Sequence, residues 1–316
     1  AQLAAQAYTA PNFAYNANFD IWQRGTTFNS TGYSADRWHA TLTNATFART
    51  TFAVNETYFL AQNGFLITAT GASNTARISQ GFPAEDVARM RGQVMTFSVP
   101  LRASAAGVQV TVAIERSSTA NATTSGTWAT IASTTAAPGT TGSIVSVTGT
   151  IPAAATAAGI RISISITNIT NGASVTGSMT QFEFGTTRSP FKLRNLTPTA
   201  EYLSCAAFFY RWTGVTYASI GTGWSTTSNS SRVAIPLPVP MRVATPTLSF
   251  TNLIWTDNVS YDSAVSALAW QGTVSAPGVS AGLTVTHTAV ATAFRPGAVQ
   301  AAPSQIGTLS FDAELP

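Results

Sequence analysis

At 316 residues, 45% hydrophobic and only 9% charged, the chain carries enough apolar material for a packed core, which excludes a disordered chain. Charges this sparse, against roughly 25% in ordinary globular domains, leave Ser, Thr, Asn, Gln and Gly to cover the surface. The net charge of +4 does not point to nucleic acid, because the basic residues are nearly all arginines scattered singly, Lys192 being the only lysine.

Those arginines are expected to clamp carboxylates and carbonyls. The single cysteine, Cys205, excludes an intrachain disulfide and a Cys-rich metal site. It stands among Leu203, Ala206, Ala207 and Phe208, so a buried, inert thiol is expected, as in a protein folded in a reducing cytoplasm. No apolar run reaches the roughly 18 to 20 residues of a membrane span, and the opening AQLAAQAYTAPN has no signal-peptide pattern.

The length favours two domains. Residues 1–12, rich in Ala and Gln, read as an N-terminal arm. From Asn16 to Trp38 the chain concentrates Phe19, Ile21, Trp22, Phe28, Tyr33 and Trp38. There Phe19 and Ile21 alternate with Asn18 and Asp20, which predicts a half-buried strand, broken by Gln23-Arg24-Gly25. Asp20, Arg24, Asp36 and Arg37 read as clamps beside these rings, with Trp22 and Trp38 in the core. Strands are predicted over 46–51, 58–60, 65–70 and 75–80, with a turn at 71–74. A helix is predicted from Pro83 to Met90: Pro near its start, Glu85 and Asp86 in the first turn, Arg89 and Arg91 near the end, Gly92 after it.

Three strongly alternating strands follow, with Met95-Phe97-Val99-Leu101, Val108-Val110-Val112-Ile114 and Ile160-Ile162-Ile164-Ile166 on one face each. Trp128 and Ile144–Val147 mark strands within the Ser/Thr-rich stretch between them, and 179–184 closes the domain. A boundary falls at Arg194–Pro198, where Thr197 is placed to cap a short helix with Pro198 at its first position. In the C-terminal domain Val233, Ile235, Leu237, Val239 and Met241 alternate with Pro236, Pro238 and Pro240. Prolines in that phase remove donors from one edge only, which predicts an edge strand over 233–241. Many short strands with turns between them and helix under about 10% of residues indicate an all-β protein of sandwich type.

Catalytic chemistry finds little to stand on. Asp257 and Asp262, flanked by Trp255 and Tyr261, are the best carboxylate pair for polysaccharide hydrolysis, but two loop carboxylates are ordinarily solvated or turn-forming. His39 and His287 have no zinc spacing, and no nucleophile elbow, phosphate loop or calcium loop is present. The reading is therefore non-enzymatic, with no cofactor and no metal. Sugar binding asks for aromatic platforms with polar partners. The candidates are Tyr217, Trp224 and Arg232 in YASIGTGWSTTSNSSR, read as a loop, with Trp255, Asp257 and Tyr261 in the later stretch.

Several motifs also carry a resemblance. NFDIWQRGTTF followed by YSADRW, then ARISQGFPAEDVARMRGQVMTFSVPLRAS, QFEFGTTRSPFKLR, AEYLSCAAFFYRW, PVPMRVATPTLSF and the closing FDAEL resemble a domain recurrent in phage tail-fibre and receptor-binding proteins. The resemblance implies a carbohydrate-binding jelly roll over 13–193, followed by a β-sandwich-like domain over 194–316. It also implies a spike or fibre subunit, on a phage tail or the head spike of a gene transfer agent, that attaches to host cell-surface polysaccharide. Its expected partners are that polysaccharide and other subunits of the particle, including copies of itself, with no nucleic acid and no membrane insertion. Its expected place is the particle surface after folding in the bacterial cytoplasm. A decoration or connector protein without ligand, and a capsule depolymerase, are the alternatives.

Overall fold

The computed structural model describes residues 12–53, 59, 61–154, 158–195, 197–257, 262–271, 280–288 and 291–316. The chain divides into two compact units, one through Tyr202 that also takes in Leu315–Pro316, the other Leu203–Glu314. The expected arm over 1–12 lies outside the described residues except for Asn12, and the expected strand over 58–60 except for Phe59.

The first unit contains β1 (Thr27–Phe28), β2 (Gly32–Tyr33), β3 (His39–Thr43), β4 (Ala45–Thr51), β5 (Asn63–Ala69), β6 (Thr75–Gly81), α1 (Ala84–Met90), β7 (Val94–Ala103), β8 (Val110–Ser117), β9 (Trp128–Ala136), β10 (Ser143–Thr150), β11 (Gly159–Thr167), β12 (Ser174–Gly177) and β13 (Gln181–Phe184). Two antiparallel sheets result, ordered β1-β4-β5-β12-β7-β10, with β13 also on β7, and β2-β3-β6-β11-β8-β9. This is the β-sandwich that the period-two runs require. Met95, Phe97, Val99 and Leu101 from one sheet and Val112, Ile114, Ile160, Ile162 and Ile164 from the other are fully buried. Pro100 sits in β7 where the partner on one edge changes from β13, ending at Ser98, to β12, starting at Leu101.

The segment from Asn16 to Trp38 packs as a core element, but the half-buried strand predicted for its alternation over 18–21 does not form. Phe19 adopts φ +56, so the alternation of 18–21 does not extend the chain. Ring packing takes precedence over that pattern. Phe19 stacks on Trp38 at 5.0 Å and meets Phe65 edge-on at 4.9 Å, while the half-buried Trp22 stacks on Phe47 at 5.5 Å. The clamps form here. Asp36, fully buried, accepts from the Gln23 backbone N–H at 3.1 Å, and the buried Arg37 donates to the Gly81 carbonyl at 2.8 Å. Asp86, credited in the sequence to the α1 helix dipole, is buried as well. It accepts from the Tyr15 hydroxyl at 3.0 Å and pairs with Arg194 at 3.0 Å, leaving exposed Glu85 to the helix terminus.

The bridging helix α2 (Pro198–Ala206) begins where the sequence places it, Thr197 Oγ1 accepting the Ala200 N–H at 3.2 Å. Cys205 is fully buried and in no disulfide. The second unit then contains β14 (Phe209–Gly214), β15 (Ser219–Thr227), β16 (Ser230–Pro236), β17 (Thr247–Thr251), β18 (Leu253–Thr256), β19 (Asp262–Trp270), β20 (Ser280–His287), β21 (Pro296–Ala301) and β22 (Gly307–Asp312). It is all-β as expected, and its strands take the form of a closed six-stranded barrel, β15-β16-β20-β19-β18-β21, with a separate three-stranded sheet, β14-β22-β17. Ile220, Val233, Ile235, Trp255, Leu283, Val285 and Val299 fill the barrel core.

The edge strand predicted over 233–241 is corrected. β16 is bonded on both sides, to β15 through Ala234 and to β20 through Pro236. The prolines end the strand instead of marking an edge: the β15 ladder stops two residues before Pro236, and Pro238 and Pro240 lie beyond the last strand residue. Closure of the barrel removes the edge that the donor count assumed.

Candidate functional site

The stretch read as a loop around Trp224 is the β15–β16 hairpin. Register places Trp224 opposite Arg232 on one side and Pro296 of β21 on the other. Along β16, Ser231, Val233 and Ile235 are buried while Arg232 and Ala234 are exposed, so this second row is the outside of the barrel. Trp224, opposite Arg232, shares that outward face and is 47% exposed. One row along, Gly282, Ala234, Thr222, Ala298 and Thr256 follow one another across β20, β16, β15, β21 and β18. A glycine and four small side chains in a row leave a trough running across the strands.

A groove of about 600 Å³ occupies this trough, lined by Thr222, Gly223, Trp224, Ala234, Asp257, Pro296, Gly297 and Ala298. Its backbone floor is Gly223 opposite Gly297. A side chain fits at neither: a Cβ on Gly223 would stand 1.7 Å from the Arg232 carbonyl oxygen, and one on Gly297 2.5 Å from both the Thr256 oxygen and the Trp255 indole. These glycines are the sequence signal that reasoning from aromatics missed, since glycine inside a strand marks a close approach.

Asp257, just past β18, lines the groove. Its side chain is 3% exposed and accepts from Arg295 Nη1 at 2.6 Å. A buried carboxylate needs such a partner, and Arg295, which the sequence did not single out, supplies it. Arg232 stays on the rim, where the Gln271 amide oxygen, in the orientation that satisfies its neighbours, accepts from Arg232 Nε at 3.2 Å.

Of the six candidates, the structure thus brings Trp224, Arg232 and Asp257 to one place. Trp255 is corrected to the core: it is fully buried, lies beneath Gly297 and stacks on His287 at 6.1 Å. Tyr217 is half exposed but precedes the far end of β15, seven residues and about 20 Å from Trp224 at strand rise. Tyr261 lies outside the described residues.

A second polar surface lies on the first unit, on the outward face of the sheet containing β11. Register sets Gly81, Arg161, Glu115 and Thr130 in one row and His39, Ser79, Ser163, Ala113 and Ser133 in the next. Its charges are consumed internally. Glu115 takes Arg77, Arg161 Nε at 3.0 Å and Ser163 Oγ at 3.0 Å, while Arg161 donates to the Thr123 carbonyl at 2.7 Å and lies 4.0 Å over the Trp128 ring. Burial pushes the Glu115 carboxyl up, but its hydrogen bond from Arg161 and the two arginine charges outweigh this and hold it below the usual carboxylate range. His39 is held at about 4, through burial first and the Arg161 charge second.

Among the described residues no group of three or more His, Cys, Asp or Glu side chains is placed to hold a metal ion, and no helix is long and apolar enough to cross a membrane. What the fold and groove define is a two-unit all-β protein with an open, aromatic-rimmed trough on a barrel wall. No family model and no curated protein matches the sequence. Among solved structures, the chain is similar over 55% of its length to the carbohydrate-binding module TmCBM61 in complex with β-1,4-galactotriose (TM-score 0.37, 9% identity, 99% of that chain). It is similar over 55% to the enzymatically active domain of tailspike protein 4 of bacteriophage CBA120 (0.38, 12%, 21% of that chain). Over 57% it is similar to a Stig cyclase from Fischerella (0.39, 10%, all of that chain). Likeness at this level spans binding modules and enzymes alike and decides nothing about the chemistry of this chain.

Proposed function

We propose that this protein is a non-enzymatic, glycan-binding subunit on the surface of a phage-like particle, and that the barrel groove takes the sugar. The observation that carries the reading is Trp224: a half-exposed indole at the rim of a trough floored by small side chains, with Asp257 in the lining and ion-paired to Arg295. An indole face accepts the C–H face of a pyranose, and fixed charged groups orient its hydroxyls. Each hydroxyl bond replaces one with water, so a single groove binds weakly. Attachment then relies on many copies, linkage raising avidity by about 10² to 10⁴. The resemblance in the end motifs supports the particle setting and host-cell polysaccharide as partner.

Incubation of purified protein with host capsular polysaccharide tests this. Retention of polymer at unchanged length, lost in Trp224→Ala with the fold intact, is expected. No retention leaves a decoration or connector protein, and falling polymer length makes it a depolymerase.

A further inference from the structure

Phe294 is the most exposed large hydrophobic residue described, at 80%, and its backbone is left-handed at φ +64. It occupies the third position of a turn closed by the Arg295 N–H on the Thr292 carbonyl at 3.3 Å. A positive φ at that position ordinarily selects glycine or asparagine. The chain instead places a large apolar ring there, accepting both an unfavourable backbone and an unburied side chain at one residue. Strain concentrated in this way marks positions that packing alone does not explain.

The turn is fastened beside Trp224. Phe294 N–H donates to the Ser225 carbonyl at 2.6 Å, Ser225 N–H donates to the Arg295 carbonyl at 2.9 Å, and Ala291 N–H donates to the Ser228 carbonyl at 2.5 Å. Phe294 stands two residues before Pro296, the register partner of Trp224. Ser225 is the chain neighbour of Trp224, so these bonds hold the Phe294 backbone against the strand residue next to the indole. Arg295 lies between Phe294 and Pro296 in sequence, and its guanidinium is fixed on Asp257.

We propose that Phe294 is a second stacking platform, continuous with the groove at Trp224, so that the site takes an oligosaccharide chain of at least two units and not a single sugar. This rests on the glycan reading of the groove. A chain laid across both rings gains from each. The rigid fastening of the turn means that little is lost in ordering the ring when the ligand arrives.

The test is titration of the intact protein with defined neutral oligosaccharides of one to six sugar units, using the series that it binds most tightly on a glycan array. Phe294→Asn removes the ring and suits a left-handed backbone better than phenylalanine does, and Phe294→Tyr restores the platform. Wild-type affinity is expected to rise at least tenfold from one unit to the longer chains. Phe294→Asn should abolish that rise while leaving single-sugar affinity unchanged, and Phe294→Tyr should recover it. Equal affinity of Phe294→Asn and wild type for long chains, with Trp224→Ala losing them, overturns the second platform and leaves the groove standing. Binding unaffected by Trp224→Ala, or no sugar bound by wild type, overturns both.

Discussion

Two polar surfaces of this chain start from the same ingredients, an arginine–carboxylate pair beside a tryptophan, and end in opposite states. In the first unit Arg161 covers the Trp128 ring at 4.0 Å, and Glu115 is shared among Arg77, Arg161 and Ser163. In the second unit Arg295 goes to Asp257 instead, and among the described residues no arginine lies over Trp224. The first arrangement is closed: ring, cation and carboxylate satisfy one another, and Glu115 and Arg161 are buried. The second leaves an aromatic face open beside oriented charge. The lesson is that residue content does not make a site; the unspent face of a ring does.

The sharpest way to break this comparison is to exchange a buried tryptophan for the exposed one. Trp255→Ala should destabilise the second unit by about 3–5 kcal/mol, because it empties the barrel core beneath Gly297. Trp224→Ala should stay within about 0.5 kcal/mol in denaturant unfolding, as surface substitutions do. Equal destabilisation by the two would make Trp224 a core residue and remove the platform.

A second contrast concerns the carboxylates. Glu115→Gln leaves two arginines without their counter-charge, Arg161 only 7% exposed, and should cost about 3 kcal/mol. Asp257→Asn leaves Arg295, whose side chain is 37% exposed and reachable by water, so about 1 kcal/mol is expected. Chemical denaturation of both variants checks the difference, and a reversed order would show the first network to be the solvated one.

The smallest expected effect is a pH dependence confined to the first unit. His39 titrates at about 4 in the folded protein against an ordinary 6.5, so between those values the unfolded chain binds the extra proton. Stability is therefore complete above about pH 6.5 and falls as pH drops toward 4, by at most about 3 kcal/mol and less as solvent screens the incompletely buried ring. Glu115, held low, acts in the same direction at still lower pH: its contribution is present above the ordinary carboxylate range and lost as pH falls through its depressed value. His39→Gln should flatten the profile between pH 4 and 6.5. An unchanged profile would place the acid sensitivity elsewhere.

Much of the architecture follows from local pattern. The period-two runs of Met95–Leu101, Val110–Ile114 and Ile160–Ile166 have only one way to bury a face, and they become β7, β8 and β11. The caps of α2 and the isolation of Cys205 in an apolar run are equally local, and Thr197 and the thiol sit where those patterns place them. Pattern fails where a partner distant in sequence decides. Phe19 gives up its alternation for contacts with Trp38 and Phe65, and the prolines after Val233 mark the end of a strand, because β20 reaches round to close the barrel.

The candidate site divides in the same way. Trp224, Arg232 and Asp257 were legible as residue types suited to sugar, and the Gly223-Trp224 and Pro296-Gly297 pairs were there to be read as close approaches. Which tryptophan faced solvent was not legible, because Trp224 and Trp255 both sit in strands and each is followed by a hydroxyl residue, Ser225 or Thr256. Inside or outside is set by strand register, and register is set by pairing with β21, more than forty residues later in the chain. For the same reason nothing local in the sequence singles out Phe294. Only the turn fastened to Ser225 brings it to Trp224, and a contact over that separation has no local signature for the sequence to carry.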